Sequence, residues 1–147
     1  TKISKINLFY LIDEVIKSSN LKKKKVNLIC SKKFSVFTDK NCLFRIIFNL
    51  FENALKFGDS VKVYVKKNTN NFYVEIQDDG PGIPYQQRGK IFKPFYKIDD
   101  SRNLKKGGSG LGLSIASELS KKIKVKIKIK SYKNNGATFI ILIPFEI

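Results

Sequence analysis

Residues 44–57 read FRIIFNLFENALKF. At about 100° per residue this is a helix. Leu43, Ile46, Ile47, Leu50, Ala54 and Phe57 share one broad apolar face, and Phe44, Phe48, Phe51 and Leu55 widen it. Arg45, Asn49, Glu52, Asn53 and Lys56 gather on the narrow remainder. Asn49 and Asn53 are four residues apart and Lys56 is three further on, so the three stand in line along the helix. Asn is a mediocre helix former, because its amide competes for backbone hydrogen bonds. Two of them in mid-helix, in line with a Lys, have two readings. One is a solvated stripe. The other is a pair of amide carbonyls aimed at a cation, with an ammonium aimed at the anion that carries it.

On either side of this helix the chain alternates short elements. Asp39 is placed to cap it, and Gly58 to end it. Upstream, residues 6–9 read as a strand and 10–19 as a helix. Residues 26–30 (VNLIC) and 35–38 (SVFT) read as short strands around Lys32 and Lys33. Downstream, VKVYVKK (61–67) and FYVEIQ (72–77) both alternate with period two about NTNN, which makes a hairpin. After the loop 78–84, residues 85–89 and 90–95 each suggest a turn of helix. Residues 98–110 are polar and Gly-containing, 111–123 are helical in pattern, and 125–130 and 137–144 form a second hairpin. This order predicts one domain over residues 1–147. Its fold class is α/β: a two-layer sandwich with a mixed, mainly antiparallel sheet covered on one face by about three helices.

Composition sets outer bounds. The chain has 147 residues, 42% hydrophobic, with 29 Lys+Arg against 12 Asp+Glu, a net charge of +17. No apolar run approaches the ~20 residues that span a bilayer, and nothing resembles a signal peptide. The charge would favour a polyanion. However, Lys far outnumbers Arg, and stretches such as 22–25 and 121–130 read as solvated faces in which Lys is the default polar residue. No nucleic-acid motif is present, so no specific nucleic-acid partner is expected. Cys30 and Cys42 have no metal-ligand spacing and read as buried reduced thiols. There is no His, which excludes a His-ligated metal, a His base and a phosphorylated His within this chain.

Three further stretches carry chemistry. DDGPGIP (78–84) follows a strand directly: a carboxylate at the strand end, then two glycines that let backbone approach closely. GGSGLGL (107–113) opens a helix with glycines, exposing unpaired N–H groups at the positive end of the dipole, a phosphate-binding combination. It lacks the lysine of a Walker loop and does not follow a strand as a dinucleotide fingerprint does. IFKPFY (91–96) reads as an aromatic plug under a loop, with Lys97 and Arg102 near enough in sequence to reach the same anion.

Asn-x-x-x-Asn-Ala-x-Lys-Phe, Asp-x-Gly-x-Gly-Ile-Pro, Ile-Phe-x-Pro-Phe-Tyr-Lys and Gly-Ser-Gly-Leu-Gly-Leu-Ser-Ile, in that order, resemble the four boxes of the catalytic ATP-binding domain of sensor histidine kinases, most nearly osmosensor-type kinases. The resemblance covers nearly the whole chain. It implies the sandwich shared with gyrase B, heat-shock-90 chaperones and mismatch-repair ATPases, with ATP and Mg²⁺ as cofactors. Asn53 would hold Mg²⁺ with help from Asn49. Lys56 would contact phosphate and act in transfer with Lys97 and Arg102, and Phe57 would lie near the nucleotide. Asp78 would take the adenine amino group, against a wall of Gly80, Gly82 and Ile83. A lid over residues 98–107 would close on the triphosphate. Gly108, Gly110 and Gly112 would form its hinge and the phosphate-binding helix start, with Ser109, Leu111 and Leu113 in the same box. Thr138 matches a position near adenine in the wider superfamily.

Two departures stand out. The His-Gly pair usual after the last Gly-box helix is missing from residues 118–124. The helical hairpin carrying the family's phosphate-accepting His is also missing, so the chain is expected to be a fragment or a stand-alone catalytic domain that needs a helical dimerisation/phosphoacceptor partner. A response regulator would come after that partner. A membrane would be involved only through segments outside this chain, with this part cytoplasmic. The hydrolytic relatives and serine-directed kinases place a Glu where Asn49 stands. An amide cannot take a proton from water or a hydroxyl, whereas a neutral imidazole needs no such base. Asn49 therefore favours a histidine acceptor. The alternatives are a degenerate regulatory module, a superfamily ATPase or serine kinase, and a basic nucleic-acid-binding domain.

Overall fold

The computed structural model describes residues 2–21, 23–94, 111–131 and 136–145. Its central element is helix α2, Lys40–Phe57. The Asp39 side chain accepts the Cys42 N–H at 3.0 Å and starts the helix. Leu43, Ile46, Ile47, Leu50, Phe51, Ala54 and Leu55 are buried along it, as the periodicity demands. Phe57 is only half-buried. It has turned out of the core toward the end of the helix, and the Lys56 ammonium lies 5.6 Å from its ring centroid.

Around α2 stand β1 (Ile3–Asn7), α1 (Leu8–Ser18), β2 (Lys25–Ile29), β3 (Ser35–Asp39), β4 (Ser60–Lys67), β5 (Asn71–Asp78), a 3-10 turn (Tyr85–Gln87), α3 (Gly112–Lys122), β6 (Lys126–Ser131) and β7 (Ala137–Pro144). Five strands form one sheet in the order β2-β4-β5-β7-β6. Only β2 and β4 pair in parallel; the other pairs are antiparallel. Val61, Val63 and Val65 of β4, Phe72, Val74 and Ile76 of β5, and Phe139, Ile141 and Ile143 of β7 are buried under the helices. The expected mixed sandwich is therefore present, with three α-helices among the described residues.

Two local readings change, at residues 8–9 and 90–94. Residues 8 and 9 are helical, not extended, because Asn7 caps α1 by accepting the Tyr10 N–H at 3.0 Å. The two strands flanking Lys32 and Lys33 are both present; β2 joins the large sheet, while β3 pairs with β1 in a separate two-stranded sheet. Residues 90–94 form turns rather than a second helical segment. Gly58 ends α2 as expected, with φ −111°, outside the left-handed region. Glycine is required there for space: a Cβ would stand 2.9 Å from Asp78 Cβ and 2.9 Å from Asp79 Oδ1. The expected lid, 98–107, lies outside the described residues.

The thiols of Cys30 and Cys42 are both free; Cys42 is buried and Cys30 half-buried, its pKa pushed up to about 11 by burial. Among the lysines of residues 22–25, Lys24 is no default surface residue. Its half-buried ammonium donates to the carbonyls of Leu55 and, at 2.8 Å, Gly58. A cation on the last carbonyls of a helix satisfies orphan acceptors and opposes the negative end of the dipole. Lys24→Met is expected to cost about 2 kcal/mol, read as a drop of roughly 5 °C in the thermal midpoint. An unchanged midpoint would refute this capping role.

Candidate active site

The C-terminal half of α2 faces the C-terminal end of β5 and the start of α3. Asp78 is in phase with Phe72, Val74 and Ile76, so the alternation of β5 turns its carboxylate toward the helices, where it is 1% exposed. Its Oδ1 accepts the Gly80 N–H at 2.8 Å and the Ala137 N–H at 3.4 Å. Oδ2 is buried as well. A carboxylate oxygen has more than one acceptor direction, so this group can take a planar amine edge-on while the backbone fixes its orientation.

The glycines follow from close approach. A Cβ on Gly80 would stand 2.6 Å from the Phe57 carbonyl oxygen. Gly82 has φ 80° and Gly136 has φ 83°, a region that L side chains avoid. Ile83, 6% exposed, is fastened by its N–H to Ser131 Oγ at 2.7 Å, and that hydroxyl donates to the Gly136 carbonyl at 3.3 Å. Arg88 locks the same corner, donating from Nη2 to the Ser131 carbonyl at 2.7 Å and from Nε to the Ile83 carbonyl at 3.4 Å.

Asp79, beside Asp78, does a different job. Its Oδ1 accepts the N–H groups of Asp59 (2.8 Å) and Ser60 (3.0 Å), tying β5 to the turn after α2. The Ser60 N–H, opposed by burial and aided by the Asp59 N–H, holds this carboxyl below its usual pKa. A pKa lowered by folding contributes stability above the unfolded value, near pH 4, and that contribution is lost as pH falls through the folded value. In urea unfolding, Asp79→Asn is therefore expected to be less stable than the parent at neutral pH, with the gap closing below about pH 4. A gap independent of pH would refute this.

Asn49 reaches across to α3, its Nδ2 donating to the Gly112 carbonyl at 3.1 Å. That bond engages the amide N–H and leaves the carbonyl oxygen, an acceptor that can also ligate a cation. Asn53, one turn on, is half-buried, and its side chain makes no hydrogen bond with a described residue. At α3 the N-cap residue is Leu111, with no side-chain capping bond, and Gly112 is exposed with nothing within 4 Å of a Cβ. Leu111 and Leu113 are half-buried at this start. Asn49, Asn53, Lys56, Phe57, Asp78, Gly80, Gly82, Ile83, Leu111, Gly112 and Leu113 thus sit on segments that converge at one end of the sandwich. Lys97, Arg102, Gly108, Ser109 and Gly110 lie outside the described residues.

Thr138 is not brought in. It pairs with Gln77 and Lys130, and directly paired residues share a face of the sheet. It therefore lies on the side opposite Asp78, and Ala137 has its N–H on the carboxylate instead. Sequence reasoning also missed Asp79, Arg88, Ser131 and Gly136, and had Gly58 only as the end of α2. For Asp79 the signal was available, since only one of two adjacent carboxylates can follow the buried phase of β5. For Arg88, Ser131 and Gly136, which meet across long sequence separations, there was none.

A buried acidic floor, a carboxamide-bearing helix and an uncapped helix start define a nucleotide-binding α/β sandwich. The chain belongs to the family described as histidine kinase-, DNA gyrase B- and HSP90-like ATPases, whose profile matches residues 38–147. It is similar to the sensor protein kinase WalK of Staphylococcus aureus, 32% identical over 154 residues, covering 99% of this chain and 37% of that protein. Longer WalK sequences are covered to 25%, so the chain spans between a quarter and two-fifths of these relatives. The catalytic domain of the histidine kinase ThkA superposes over its full length with a TM-score of 0.81 at 25% identity. Full-length ShkA in complex with AMPPNP has the same fold, with a TM-score of 0.85 at 23% identity, covering 99% of this chain and 31% of ShkA. The ATP-binding domain anticipated from the four boxes is thereby established as a family assignment.

Proposed function

We propose that this chain binds Mg-ATP and donates the γ-phosphoryl group to a histidine on a separate helical dimerisation/phosphoacceptor domain, as the catalytic part of a two-component sensor kinase. The observation that carries this reading is the buried Asp78 carboxylate standing across from the Asn49–Asn53–Lys56 line of α2. Asp78 receives the adenine amino group, Gly80, Gly82 and Ile83 wall the base, and the Lys56 ammonium meets phosphate. The open N–H groups at the start of α3 complete the anion site.

The donor set suits Mg²⁺. This cation prefers hard oxygen ligands and is held by few protein atoms together with phosphates and water. The amide oxygens of Asn49 and Asn53 meet that need, and no group of three or more His, Cys, Asp or Glu that could hold a metal occurs among the described residues. When bound, the ion neutralises charge on the phosphates. With an amide at position 49, the domain positions and neutralises but does not deprotonate an acceptor, which fits an imidazole nucleophile. Lys97 and Arg102 are assigned to the same anion from the sequence. A response regulator would take the phosphoryl group onward. The working place is cytoplasmic, where ATP is supplied; no described helix is long and apolar enough to cross a membrane.

Calorimetric titration with a non-hydrolysable ATP analogue tests the binding. The parent should bind saturably, and Mg²⁺ should tighten binding about tenfold, a gain that Asn53→Ala abolishes. Asn49→Asp should keep most of the gain and Asn49→Leu should lose it. Absence of saturable binding would overturn the proposal. If binding holds but no acid-labile phosphohistidine forms on a phosphoacceptor domain supplied in trans, the kinase step alone fails.

A further inference from the structure

Two segments far apart in sequence make the corner beside Asp78: the loop at Gly82 and Ile83, and the entry to β7 at Gly136 and Ala137. One hydroxyl joins them. Ser131 Oγ, at the end of β6, accepts the Ile83 N–H at 2.7 Å and donates to the Gly136 carbonyl at 3.3 Å. The next residue, Ala137, rests its N–H on Asp78 Oδ1. Ile83 and the carboxylate are therefore held in one frame through a single side-chain oxygen.

Arg88 clamps that frame from a third segment. Its Nη2 donates to the Ser131 carbonyl at 2.7 Å and its Nε to the Ile83 carbonyl at 3.4 Å. The N–H and the carbonyl of Ile83 are thus both engaged. A guanidinium suits this task, because its donors leave a rigid plane in fixed directions. Arg88 has no ion pair among the described residues, so its charge is directed at carbonyls rather than at a carboxylate. Further along, Ile91 is buried and Phe92 meets the Phe139 ring edge-on, centroids 6.3 Å apart. The segment from Ile83 to Phe92 is pinned at both ends by the protein's own groups.

Rejection of a wrong base requires that this base has no other place to settle. A wall free to shift would let a purine with a carbonyl in place of the amino group tilt away from the carboxylate and keep its apolar contacts. A fixed wall denies it that escape, and spares the right base the cost of ordering the loop. We propose that Arg88 and Ser131 are positioning residues for base selection, holding the Ile83 wall in register with Asp78 so that adenine is preferred to guanine. The inference rests on the assignment of Asp78 to the adenine amino group, and both residues act through Ile83 and Asp78.

Calorimetry with non-hydrolysable ATP and GTP analogues, with and without Mg²⁺, reads base selection and phosphate binding separately. Arg88→Met keeps an apolar stem and removes the donors. It should weaken the ATP analogue about tenfold and the GTP analogue by less than about twofold, while the tightening by Mg²⁺ persists. Ser131→Ala should narrow the preference in the same way, and Ser131→Thr, which keeps the hydroxyl, should restore it. Val36→Ala is the control for stability alone: it opens a cavity in β3, at the opposite end of α2. It should lower the thermal midpoint and leave the preference unchanged. A lowered midpoint with an intact preference in Arg88→Met and Ser131→Ala would make the pair a brace of the fold only and overturn the proposal. So would equal loss of both nucleotides in Arg88→Met, or an equal narrowing in Val36→Ala. A parent that binds neither nucleotide, or does not distinguish them, sinks the adenine reading and this inference together. A parent that prefers ATP, beside variants that prefer it equally, sinks the inference alone.

Discussion

Asp78→Asn is expected to weaken binding of an ATP analogue by about a hundredfold while the protein stays folded. The substitution is nearly isosteric. An amide oxygen in the Oδ1 position still accepts from Gly80 and Ala137, so the strand end and the glycine loop keep their anchor. The buried Oδ2 position becomes an NH₂ group. In the proposed pose the adenine amino group then meets a second donor, and a buried donor left unmet costs on the order of 1–3 kcal/mol. The lost charge-assisted bond adds to this. The same change should narrow the preference for ATP over GTP, because guanine presents an acceptor where adenine presents a donor. Calorimetry with both nucleotides and a thermal scan check it. Retained ATP affinity would place the base elsewhere. Thr138→Ala serves as the control: lying on the far face with Gln77 and Lys130, it should leave binding unchanged.

That control marks where the sequence stopped being readable. The helix α2 and its cap, both large hairpins and the phase of Asp78 follow from local periodicity, because a face buried against one core repeats at a fixed interval. Thr138 could not be placed that way. Residues 137–141 are all buried, so β7 shows no alternation, and a shift of one residue exchanges the two faces. The pairing of β1 with β3, and the placement of β2 beside β4, depend on which edges meet across more than 20 residues of chain, and no local pattern encodes that. Lys24 shows the same limit for polar groups. In sequence it is one of a run of lysines; in the fold it is the one that reaches the carbonyls of Leu55 and Gly58. The residues of the proposed nucleotide site could be nominated from sequence because they cluster in short boxes. The residues that hold those boxes together could not, because each joins two distant segments.

Gly136 is the extreme case of such a joint, and Gly136→Ala is expected to be the most damaging single methyl in the protein. A Cβ there would stand 1.9 Å from the Asp78 carbonyl oxygen and 2.8 Å from its carbon. Both are backbone atoms at the end of β5, the middle strand of the sheet, unable to swing aside as a side chain would. The φ of 83° adds strain for any L side chain. Overpacking and strain together should cost about 4 kcal/mol, lowering the thermal midpoint by more than roughly 10 °C. The displaced strand end carries Asp78, so nucleotide binding should fall with stability. Gly112→Ala separates this from the other glycine role. Nothing lies within 4 Å of a Cβ on Gly112, and Ala in a helix gains about 0.5–1 kcal/mol over Gly. Its midpoint should hold or rise slightly, while ATP-analogue binding should weaken several-fold, because under the proposed function the methyl would stand where phosphate approaches the helix N–H groups. If Gly136→Ala keeps its midpoint, the close contact with Asp78 is not a constraint on the fold. If Gly112→Ala keeps full affinity, the start of α3 is not where the phosphates rest.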